Sequence, residues 1–577
     1  MSEKSPDERD DPVEPGNGDA PSQRADAPSG ESPPTGDGPG TPAGDGPGTP
    51  TGDGPGASDD DEPRDSITEG SLAWPLFHLA WPIVVIQLLQ VTYNVVDTLY
   101  LGRLSAEAVG AISLAFPLIF LLIAVAGGFT TAGAILVAQY LGAEGDESAG
   151  LVTGQTVTFV GLLSVVIGVV GYFYTRPALE LLPSDPDTAA TVIPLAADYM
   201  EIIFIGMPLM FGFFVFSALM RGYGDTRTPM VVMVVSVAIN IFLDPFFIFG
   251  FEDNPLFVWL GLGGLQASLF AATGFTGWGI QGAALATMVA RGVGTGIGLY
   301  LLFGTGLGPD ARLEHLWPDF AFVADIVRLG TPSMVEQSTS ALAMIALTAM
   351  VVTFSPPVVA AYGLGNRLIS LVFLPAMGLG RAVDTVVGQN LGADRPDRAA
   401  RATRLAASTG AGVMLLIAVL AATFTEPIVS VFLGDVPDAP ATISYGVEYV
   451  RIRSVEFAFI GVSQVVLGAF RGAGNTGTAM VISMLTLWVG RVGSVLVLAL
   501  SWSVTIPGVG ITIAALGWGP TGIWVGMAVG NVLGAIIGVA WFARGTWKEK
   551  YIDEEQIEDE PGPATASKTG DAEASED

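Results

Sequence analysis

An amide and a carboxylate interrupt an otherwise apolar stretch, AINIFLDPFFIFGF at residues 238–251. At helical spacing Asn240 and Asp244 lie on one face, one turn apart. On insertion scales a mid-membrane Asp costs about 2.5–3.5 kcal/mol, so these groups are expected to face the protein interior rather than lipid. Their oxygen atoms suit a proton or an alkali cation, and buried polar pairs of this kind mark ion pathways in membranes.

Two further polar residues occur inside apolar runs. Asp97 follows Pro82 by fifteen residues in AWPIVVIQLLQVTYNVVDTLYLG, and Thr287 lies in GIQGAALATMVA. Purely structural roles are open for each of them. Asp97 could pair near a helix end, Asp244 with its following proline could form a turn at the membrane boundary, and Thr287 could bond back to its own helix.

The elements that carry these residues are predicted to be transmembrane helices. Of 577 residues, 50% are hydrophobic and only 14% are charged, and the mean hydropathy is +0.54. This is too apolar for soluble domains. Apolar windows of about 20 residues, each able to cross a bilayer core of about 30 Å, recur about a dozen times between Ala73 and Phe542. No cleavable signal peptide is expected before them. The predicted class is an all-α polytopic membrane protein.

Missing residue types exclude several chemistries. The chain has no Cys, and no Lys lies between Lys4 and Lys548. Disulfides, thiolate metal sites and a retinal Schiff base in the membrane are therefore excluded. No GxxxxGK[ST] loop is present, so the chain is not expected to hydrolyse ATP by itself. The two histidines, His78 and His315, lie at predicted membrane edges.

The charge is strongly acidic and concentrated at the two ends. Asp and Glu number 56 against 25 Lys and Arg, giving a net charge of −31. Nucleic acid is not an expected partner, because binding it requires a basic face. The acid surplus, with few lysines, indicates a high-salt cytoplasm and a halophilic source.

The sequence repeats itself at a constant offset of 250 residues, which indicates a duplication. The offset preserves glycine, glutamine and arginine positions as well as apolar ones. Matched segments are QYLGA at 139–143 with QNLGA at 389–393, RGYGDTRTPM at 221–230 with RGAGNTGTAM at 471–480, LIFL at 118–121 with LISL at 368–371, and Gln87 with Gln337.

Each half is predicted to contain six helices, which gives twelve transmembrane helices in two six-helix lobes. Because six is even, both halves have the same orientation and form a parallel repeat. The N-lobe is predicted at 71–305, a cytoplasmic linker at 306–323 and the C-lobe at 324–546. The tail at 1–70 is rich in Pro, Gly, Ser and Asp and is predicted to be disordered, like the acidic tail at 547–577.

Loop charges predict the orientation. Arg103 and Arg176 lie in the odd-numbered loops, whereas the even-numbered loops and the C-terminus collect far more basic residues. These are Arg221, Arg227, Arg312, Arg328, Arg395, Arg398, Arg401, Arg404, Arg471, Arg544, Lys548 and Lys550. By the positive-inside rule both termini are predicted to be cytoplasmic.

The repeat favours a functional role for the buried polar residues. At the 250-residue offset Asp97 corresponds to Leu347, Asn240 to Gly490 and Asp244 to Ser494. Polar groups that occur in one half only are not required by the fold. The structural alternatives are therefore less favoured than a site.

Several motifs in order resemble the multidrug and toxic compound extrusion (MATE) transporters. The resemblance runs from about Leu72 to Phe542 and covers both halves. Its motifs are YNVVDT in the first span, RGYGDTRTPM before the fifth, NIFLDPFFIF within it, GAALAT in the sixth, GLGNRLISLVFLPAMGLGRA and GQNLGA in the eighth, and GIWVGMAVGN in the last.

The resemblance implies a plasma-membrane antiporter that exports amphipathic, mostly cationic compounds in exchange for H⁺ or Na⁺. No other cofactor is expected, and the protein is expected to be a monomer in the lipid bilayer. In the prokaryotic DinF-like branch, it implies an ion- or proton-coupling site, with possible Na⁺ binding, at Asp97, Asn240, Asp244 and Thr287. It also implies cleft-lining roles for Gln90, Tyr93 and Asn94 and a helix-bending role for Pro82.

The sequence leaves the coupling ion open, since both ions need the same oxygen atoms. Desolvated carboxyl groups near one another can share or release a proton near neutral pH, and sodium accepts hard oxygen donors. A flippase for a lipid-linked precursor is the alternative function. An intramembrane aspartyl protease, raised by GYGD at 222–225, is disfavoured because the repeat partner reads GAGN.

Two departures from the family pattern concern the C-lobe and the external connections. Glu336 lies near the start of the seventh span, and Glu456 follows Arg453 by three residues, which predicts a local ion pair rather than a C-lobe ion site. The long connections after the fifth and eleventh spans are predicted to be amphipathic or interfacial segments.

Overall fold

The computed structural model describes residues 67–180, 186–431, 439–505 and 512–552. Most of the two tails predicted to be disordered, residues 1–66 and 553–577, lies outside the described residues.

The first half of the chain folds into nine α-helices within the described ranges. They are α1 (Ala73–Leu104), α2 (Ala106–Gly142), α3 (Asp146–Glu180), α4 (Pro186–Ile205), α5 (Met207–Tyr223), α6 (Arg227–Phe249), α7 (Pro255–Trp259), α8 (Gly263–Thr273) and α9 (Ile280–Gly304). A short 3₁₀ turn at Leu313–Leu316 lies in the connection to the second half.

The second half repeats this order. Its helices are α10 (Phe320–Val351), α11 (Pro356–Gly392), α12 (Pro396–Thr423), α13 (Thr425–Val431), α14 (Ala439–Ser454), α15 (Phe457–Gly472), α16 (Thr476–Met484), α17 (Ser494–Leu498) and α18 (Pro520–Phe542). A π-helix at Leu485–Gly493 joins α16 to α17 in one span.

Ten of the described helices are long and apolar enough to cross a membrane, and two bent pairs bring the total to twelve. The pairs are α4 with α5, bent by 56°, and α14 with α15, bent by 51°. Gly206 lies at the first break, where a Cβ would come within 2.2 Å of the Met288 sulfur. Counting each pair as one span gives six per half, which confirms the predicted twelve-helix duplicated fold.

The two halves meet through a matched pair of contacts. Nε2 of Gln139 donates to the carbonyl of Gly472 at 2.9 Å, and Nε2 of the repeat partner Gln389 donates to the carbonyl of Gly222 at 3.1 Å. A Cβ on Gly142 would lie 2.0 Å from the Gln389 carbonyl oxygen, and one on Gly392 equally close to that of Gln139. The glycines of QYLGA and QNLGA therefore allow the backbones to touch.

The turn in RGYGDT explains a motif without invoking chemistry. Gly224 has φ 105°, in the left-handed region that glycine adopts readily. The Asp225 carboxylate then accepts hydrogen bonds from the backbone N–H groups of Arg227 at 2.8 Å and Thr228 at 3.0 Å. In the second half Asn475 caps α16 in the same way. Asp225 is thus a helix-start residue, and the protease alternative has no support.

The two long connections differ from each other. Between α6 and α9 the chain forms the short helices α7 and α8, which expose Val258, Trp259 and Leu260. Between α17 and α18 it forms an antiparallel pair of strands, β1 (Ser503–Thr505) and β2 (Thr512–Ala514). These strands are the only departure from an all-α fold in the described residues. Their β-branched residues favour the extended backbone.

The described ends of both tails lie against the face where the halves meet. Ile67 is buried, and its carbonyl accepts from Nδ2 of Asn390 at 3.2 Å. At the other end the backbone N–H of Tyr551 donates to Oε1 of Gln139 at 2.9 Å. We call this the basic face because Arg395, Arg398, Lys548 and Lys550 lie at the described tail ends. It includes loops 143–145, 224–226, 393–395 and 473–475.

Candidate functional site

The polar residues predicted to form one site lie together inside the N-lobe. Asn240 and Asp244 project from α6, and Thr287 projects from α9. Nδ2 of Asn240 donates to Oδ1 of Asp244 at 3.2 Å and to Oγ1 of Thr287 at 3.5 Å. All three side chains are buried, with Asp244 0% exposed.

Asp97 completes this group from α1. It is 4% exposed, and its carboxyl group lies within hydrogen-bonding reach of the Asp244 carboxyl group. Oδ1 of Asp97, Oδ2 of Asp244 and Oδ1 of Asn240 have no hydrogen-bond partner among the described residues. Buried polar atoms in folded proteins are normally paired, so these three oxygens call for a bound proton, ion or water.

The geometry does not support the structural alternatives for the acids. Asp244 and Pro245 do not form a boundary turn, because α6 continues through them to Phe249. The carbonyl of Pro245 accepts a hydrogen bond from Nδ2 of Asn254 at 2.8 Å, which holds the helix end in place. Asp97 likewise lies about two turns before the end of α1 at Leu104.

Arg291 is a functional candidate that the sequence analysis missed. It lies on α9, one turn after Thr287, and is 5% exposed. Nη2 donates to Oε1 of Gln90 at 2.5 Å, and the guanidinium carbon lies 5.5 Å from the centre of the Tyr93 ring. No carboxylate oxygen of a described residue lies within 4.0 Å of it. The signal was present in the sequence, because Arg291 is the single charged residue of an otherwise uncharged span.

Arg291 and the predicted site share one small cavity. Tyr93, Asn240, Thr287 and Arg291 all line a space of about 10 Å³. This is about the smallest volume that holds a single water molecule. Asp97 and Asp244 do not line this space, so the guanidinium borders the amide and hydroxyl side of the site.

The predicted cleft residues lie on one stretch of α1. Gln90 lines a larger central cavity, Tyr93 lines the small one, and Asn94 is half-buried and accepts from Nε2 of Gln90 at 3.5 Å. Pro82 is buried inside α1, where it removes one helix hydrogen bond, and Pro332 takes the equivalent place in α10.

The central cavity lies between the halves and has a volume of about 290 Å³. Phe120, Phe213, Phe214 and Met377 supply apolar wall, and Gln87, Gln90, Gln337, Thr130 and Thr131 supply neutral polar groups. Two arginines, Arg221 and Arg381, also line it, and no carboxylate of a described residue does. Its size and mixed wall are those of a small-molecule site.

The C-lobe acids are paired with arginines. Glu456 and Arg453 form a buried ion pair, which confirms the predicted local pairing. Oε1 of Glu336 accepts from Arg471 at 2.9 Å and from Ser483 at 3.1 Å. Neither acid resembles the contacting carboxyl pair of the N-lobe.

A duplicated helical membrane protein with a polar site in one half and a cavity between the halves has the architecture of a secondary transporter. The chain belongs to the MatE family, whose family model matches residues 82–246 and 332–515. The two matched segments begin at Pro82 and Pro332, which are equivalent in the repeat. The protein is therefore a transporter of this family and not an enzyme.

Individual relatives are distant but cover most of the chain. A probable multidrug resistance protein, YoeA of Bacillus subtilis, is 29% identical over 82% of this chain and 93% of its own length. A protein named FAD transporter, from Shewanella oneidensis, is 24% identical over 74% of this chain and 87% of its own length. The first of these relatives is thus named for multidrug resistance and the second for FAD transport.

Solved structures support the fold. One structure is titled as a superfamily transporter from Pyrococcus furiosus in which reverse polarity of the binding pocket suggests a different function. It aligns with a TM-score of 0.71 at 21% identity, over 84% of this chain and 99% of the other. This likeness shows the fold alone.

Proposed function

We propose that the protein is a secondary antiporter that exports amphipathic molecules in exchange for an ion bound at Asp97, Asn240, Asp244 and Thr287. The observation that carries the proposal is the pair of contacting, buried carboxyl groups with unpartnered oxygens. The second half has no such pair at the equivalent positions. A site of this kind holds a proton or a small cation and releases it when the surroundings change.

The ion site is connected to the central cavity by side-chain contacts. Gln90 lines the central cavity and accepts a hydrogen bond from Arg291, which in turn lines the small cavity with Asn240 and Thr287. A change of charge at the acids alters the field on Arg291 and therefore its hold on Gln90. Ion binding and cargo release are in this way coupled through one wall of the cavity.

The buried guanidinium favours the proton as the coupling ion. A sodium ion at Asn240 and Thr287 would share a small, buried cavity with Arg291, and like charges repel strongly where water is scarce. Protonation of a carboxyl group neutralises it without adding an ion to that space. The oxygen donors themselves suit either ion, so Arg291 decides the preference.

The predicted setting is a cell membrane with the basic face and both termini in the cytoplasm. The loop arginines support it through the positive-inside rule. We assign the chain to the DinF-like branch because its unpaired acids lie in the N-lobe. We expect it to work as a monomer.

The arginines of the central cavity bear on the sign of the cargo charge. The resemblance predicts a mostly cationic cargo, whereas the central cavity carries arginines and no acid. A relative named as a FAD transporter and a structure titled for reverse pocket polarity indicate that cargo chemistry varies among similar proteins. Flipping of a lipid-linked precursor is the second candidate, since a basic cavity also suits an anionic head group.

Transport by purified protein in liposomes, without ATP, tests the proposal. A panel of fluorescent cationic, neutral and anionic solutes is offered under an imposed proton gradient, and separately under a sodium gradient at constant pH. We expect the proton gradient to drive at least one solute and the sodium gradient to drive none. Movement that requires ATP, or no movement of any solute, would contradict the antiporter.

Arg291→Met sharpens the test of the ion. Methionine keeps apolar volume but removes the cation, so the sodium gradient is expected to become effective in this variant. The matched control is Arg312→Gln, which changes an exposed arginine paired with Asp310 and should leave ion use unchanged. A wild-type protein driven by sodium alone would show that Arg291 does not set the preference.

A further inference from the structure

We infer that the central cavity selects amphipathic organic anions, in which a phosphate or carboxylate group is joined to an aromatic body. This rests on the proposed transport function and names the cargo class of the same cavity. It reverses the charge that the family resemblance implies. The inference comes from the partners of the arginines around the cavity.

Arg221 and its repeat partner Arg471 have opposite surroundings. The Arg471 guanidinium binds Glu336 at 2.9 Å and Asp384 at 3.5 Å. The Arg221 guanidinium forms no hydrogen bond or ion pair with any described residue, although its own carbonyl accepts from Thr385. It is half-buried and lines the cavity. One half therefore neutralises this arginine, and the other leaves it facing the cavity.

Arg381 adds a second positive group to the same wall. Its side chain is 21% exposed, and Nη1 donates to Oγ1 of Thr131 at 3.1 Å. Its nearest carboxylate is Asp384, at 3.7 Å, which also faces Arg471 at 3.5 Å. Asp384 is thus shared between two arginines and does not fully neutralise either one.

The local charge balance follows from these contacts. Three arginines, Arg221, Arg381 and Arg471, face two acids, Glu336 and Asp384, so one positive charge is in excess. Arg221 and Arg381 line the central cavity and the two acids do not, although Asp384 borders a separate space of about 10 Å³ that Arg221 also lines. A cation in the cavity would meet uncompensated like charge. An anion would supply the missing partner.

The remaining wall fits the rest of such a molecule. Phe120, Phe213 and Phe214 offer aromatic faces, which suit stacking with a flat ring system. Arg221 supplies a planar guanidinium, which binds phosphate and carboxylate through paired hydrogen bonds. The cavity therefore has an apolar part and a cationic part, as an amphipathic anion requires.

Binding of two matched probes tests the inference. Riboflavin and riboflavin 5′-phosphate share one fluorescent ring and differ by the phosphate, and binding to the full-length protein in nanodiscs is followed by fluorescence anisotropy at constant ionic strength. We expect the phosphate to bind roughly 10-fold or more tightly, as one charge-assisted contact supplies. Ethidium serves as the cationic probe and is expected to bind more weakly than the phosphate.

Variants assign the preference to the cavity. Arg221→Gln should bring the ratio of the two flavin affinities close to one, and Arg221→Lys should restore part of the preference for the phosphate. Arg312→Gln, which changes an exposed arginine outside the cavity, should bind both probes as the wild type does. Thermal melting of each variant confirms that it is folded.

Equal affinity for the two flavins, tighter binding of ethidium, or an unchanged preference in Arg221→Gln would each overturn the inference. Competition by a short-chain phosphatidylglycerol at lower concentrations than free glycerol phosphate would identify a lipid as the source of the anion. Binding is measured without a gradient, so a failure of the anion inference can be distinguished from a failure of the antiporter proposal. Anion binding without driven transport contradicts the antiporter, whereas driven transport of cations without anion binding contradicts the inference.

Discussion

The two halves of this protein share a fold but treat buried charge in opposite ways. In the N-lobe, Asp97 and Asp244 contact each other and retain oxygen atoms without partners. In the C-lobe, Glu456 is paired with Arg453, which also donates to Met527 at 3.3 Å. Met527 occupies the place in α18 that Thr287 occupies in α9, counted from the matching GWG motifs at 277–279 and 517–519.

This difference shows how a duplicated frame acquires one exchangeable site. An acid with a permanent arginine partner keeps its charge balanced in every conformation. An acid without such a partner must gain or lose an ion when its surroundings change. The positions of the N-lobe acids hold Leu347 and Ser494 in the C-lobe, whose buried acid Glu456 lies elsewhere and has a structural role.

The backbone differs at the same place. The span that carries Asn240 and Asp244 is an α-helix, whereas its counterpart contains a π-helix at Leu485–Gly493. That segment includes Arg491, a half-buried cation near the Arg453–Glu456 pair. The C-lobe has thus changed both its charges and its helix geometry relative to the N-lobe.

The largest expected effect is the loss of coupling in Asp97→Asn and Asp244→Asn. Each change keeps the shape of the side chain but removes an ionisable group, so gradient-driven export should be abolished while the protein still inserts and binds cargo. The double variant should be no worse than either single one, because the two act as a unit. Liposome transport with parallel binding measures this, and driven transport in either single variant would break the contrast between the lobes.

A symmetric pair of changes should have a large and equal effect. Gly142→Ala and Gly392→Ala each place a Cβ about 2.0 Å from a carbonyl oxygen of the opposite half. Both should weaken closure of the basic face. Cysteines introduced at Asp225 and Asn475, one in each turn, would then react faster with a water-soluble thiol reagent. A strong effect in one variant alone would mean that the two matched contacts do not contribute equally to closure.

A smaller effect on transport, with a clear effect on stability, is expected for Glu456→Gln. It leaves Arg453 buried without its partner, which typically costs about 3–5 kcal/mol. Thermal melting should therefore fall, whereas the folded protein should retain gradient-driven export. An export rate as low as that of Asp97→Asn would move the coupling site to the C-lobe.

The smallest effect on transport is expected from deletion of the N-terminal tail. Deletion of residues 1–65 should leave transport nearly unchanged, because a solvating acidic segment contributes little to the lobes. Deletion of residues 1–70 is the matched comparison and also removes Ile67 and the carbonyls that bind Arg395 and Arg398. We expect only the longer deletion to lower the melting temperature, and equal melting would show that Ile67 adds no stability.

The sequence by itself determined the membrane class, the twelve spans and the duplication. These depend on local apolar runs and on a repeat that one constant offset reveals. It also predicted the grouping of Asn240, Asp244 and Thr287 and the pairing of Glu456 with Arg453. Arg453 and Glu456 are only three residues apart in the sequence, so helical periodicity alone places them on one face.

Only the tertiary structure decided which charges have partners. Arg221 and Arg471 occupy equivalent motifs, and nothing local distinguishes them. Their difference arises because Glu336 and Asp384, distant in sequence, form ion pairs with Arg471 and not with Arg221. Arg291 likewise became a functional candidate only because it donates a hydrogen bond to Gln90 on another helix. The charge balance around a residue depends on all of its neighbours in space. A sequence repeat can therefore preserve residue types without preserving that balance.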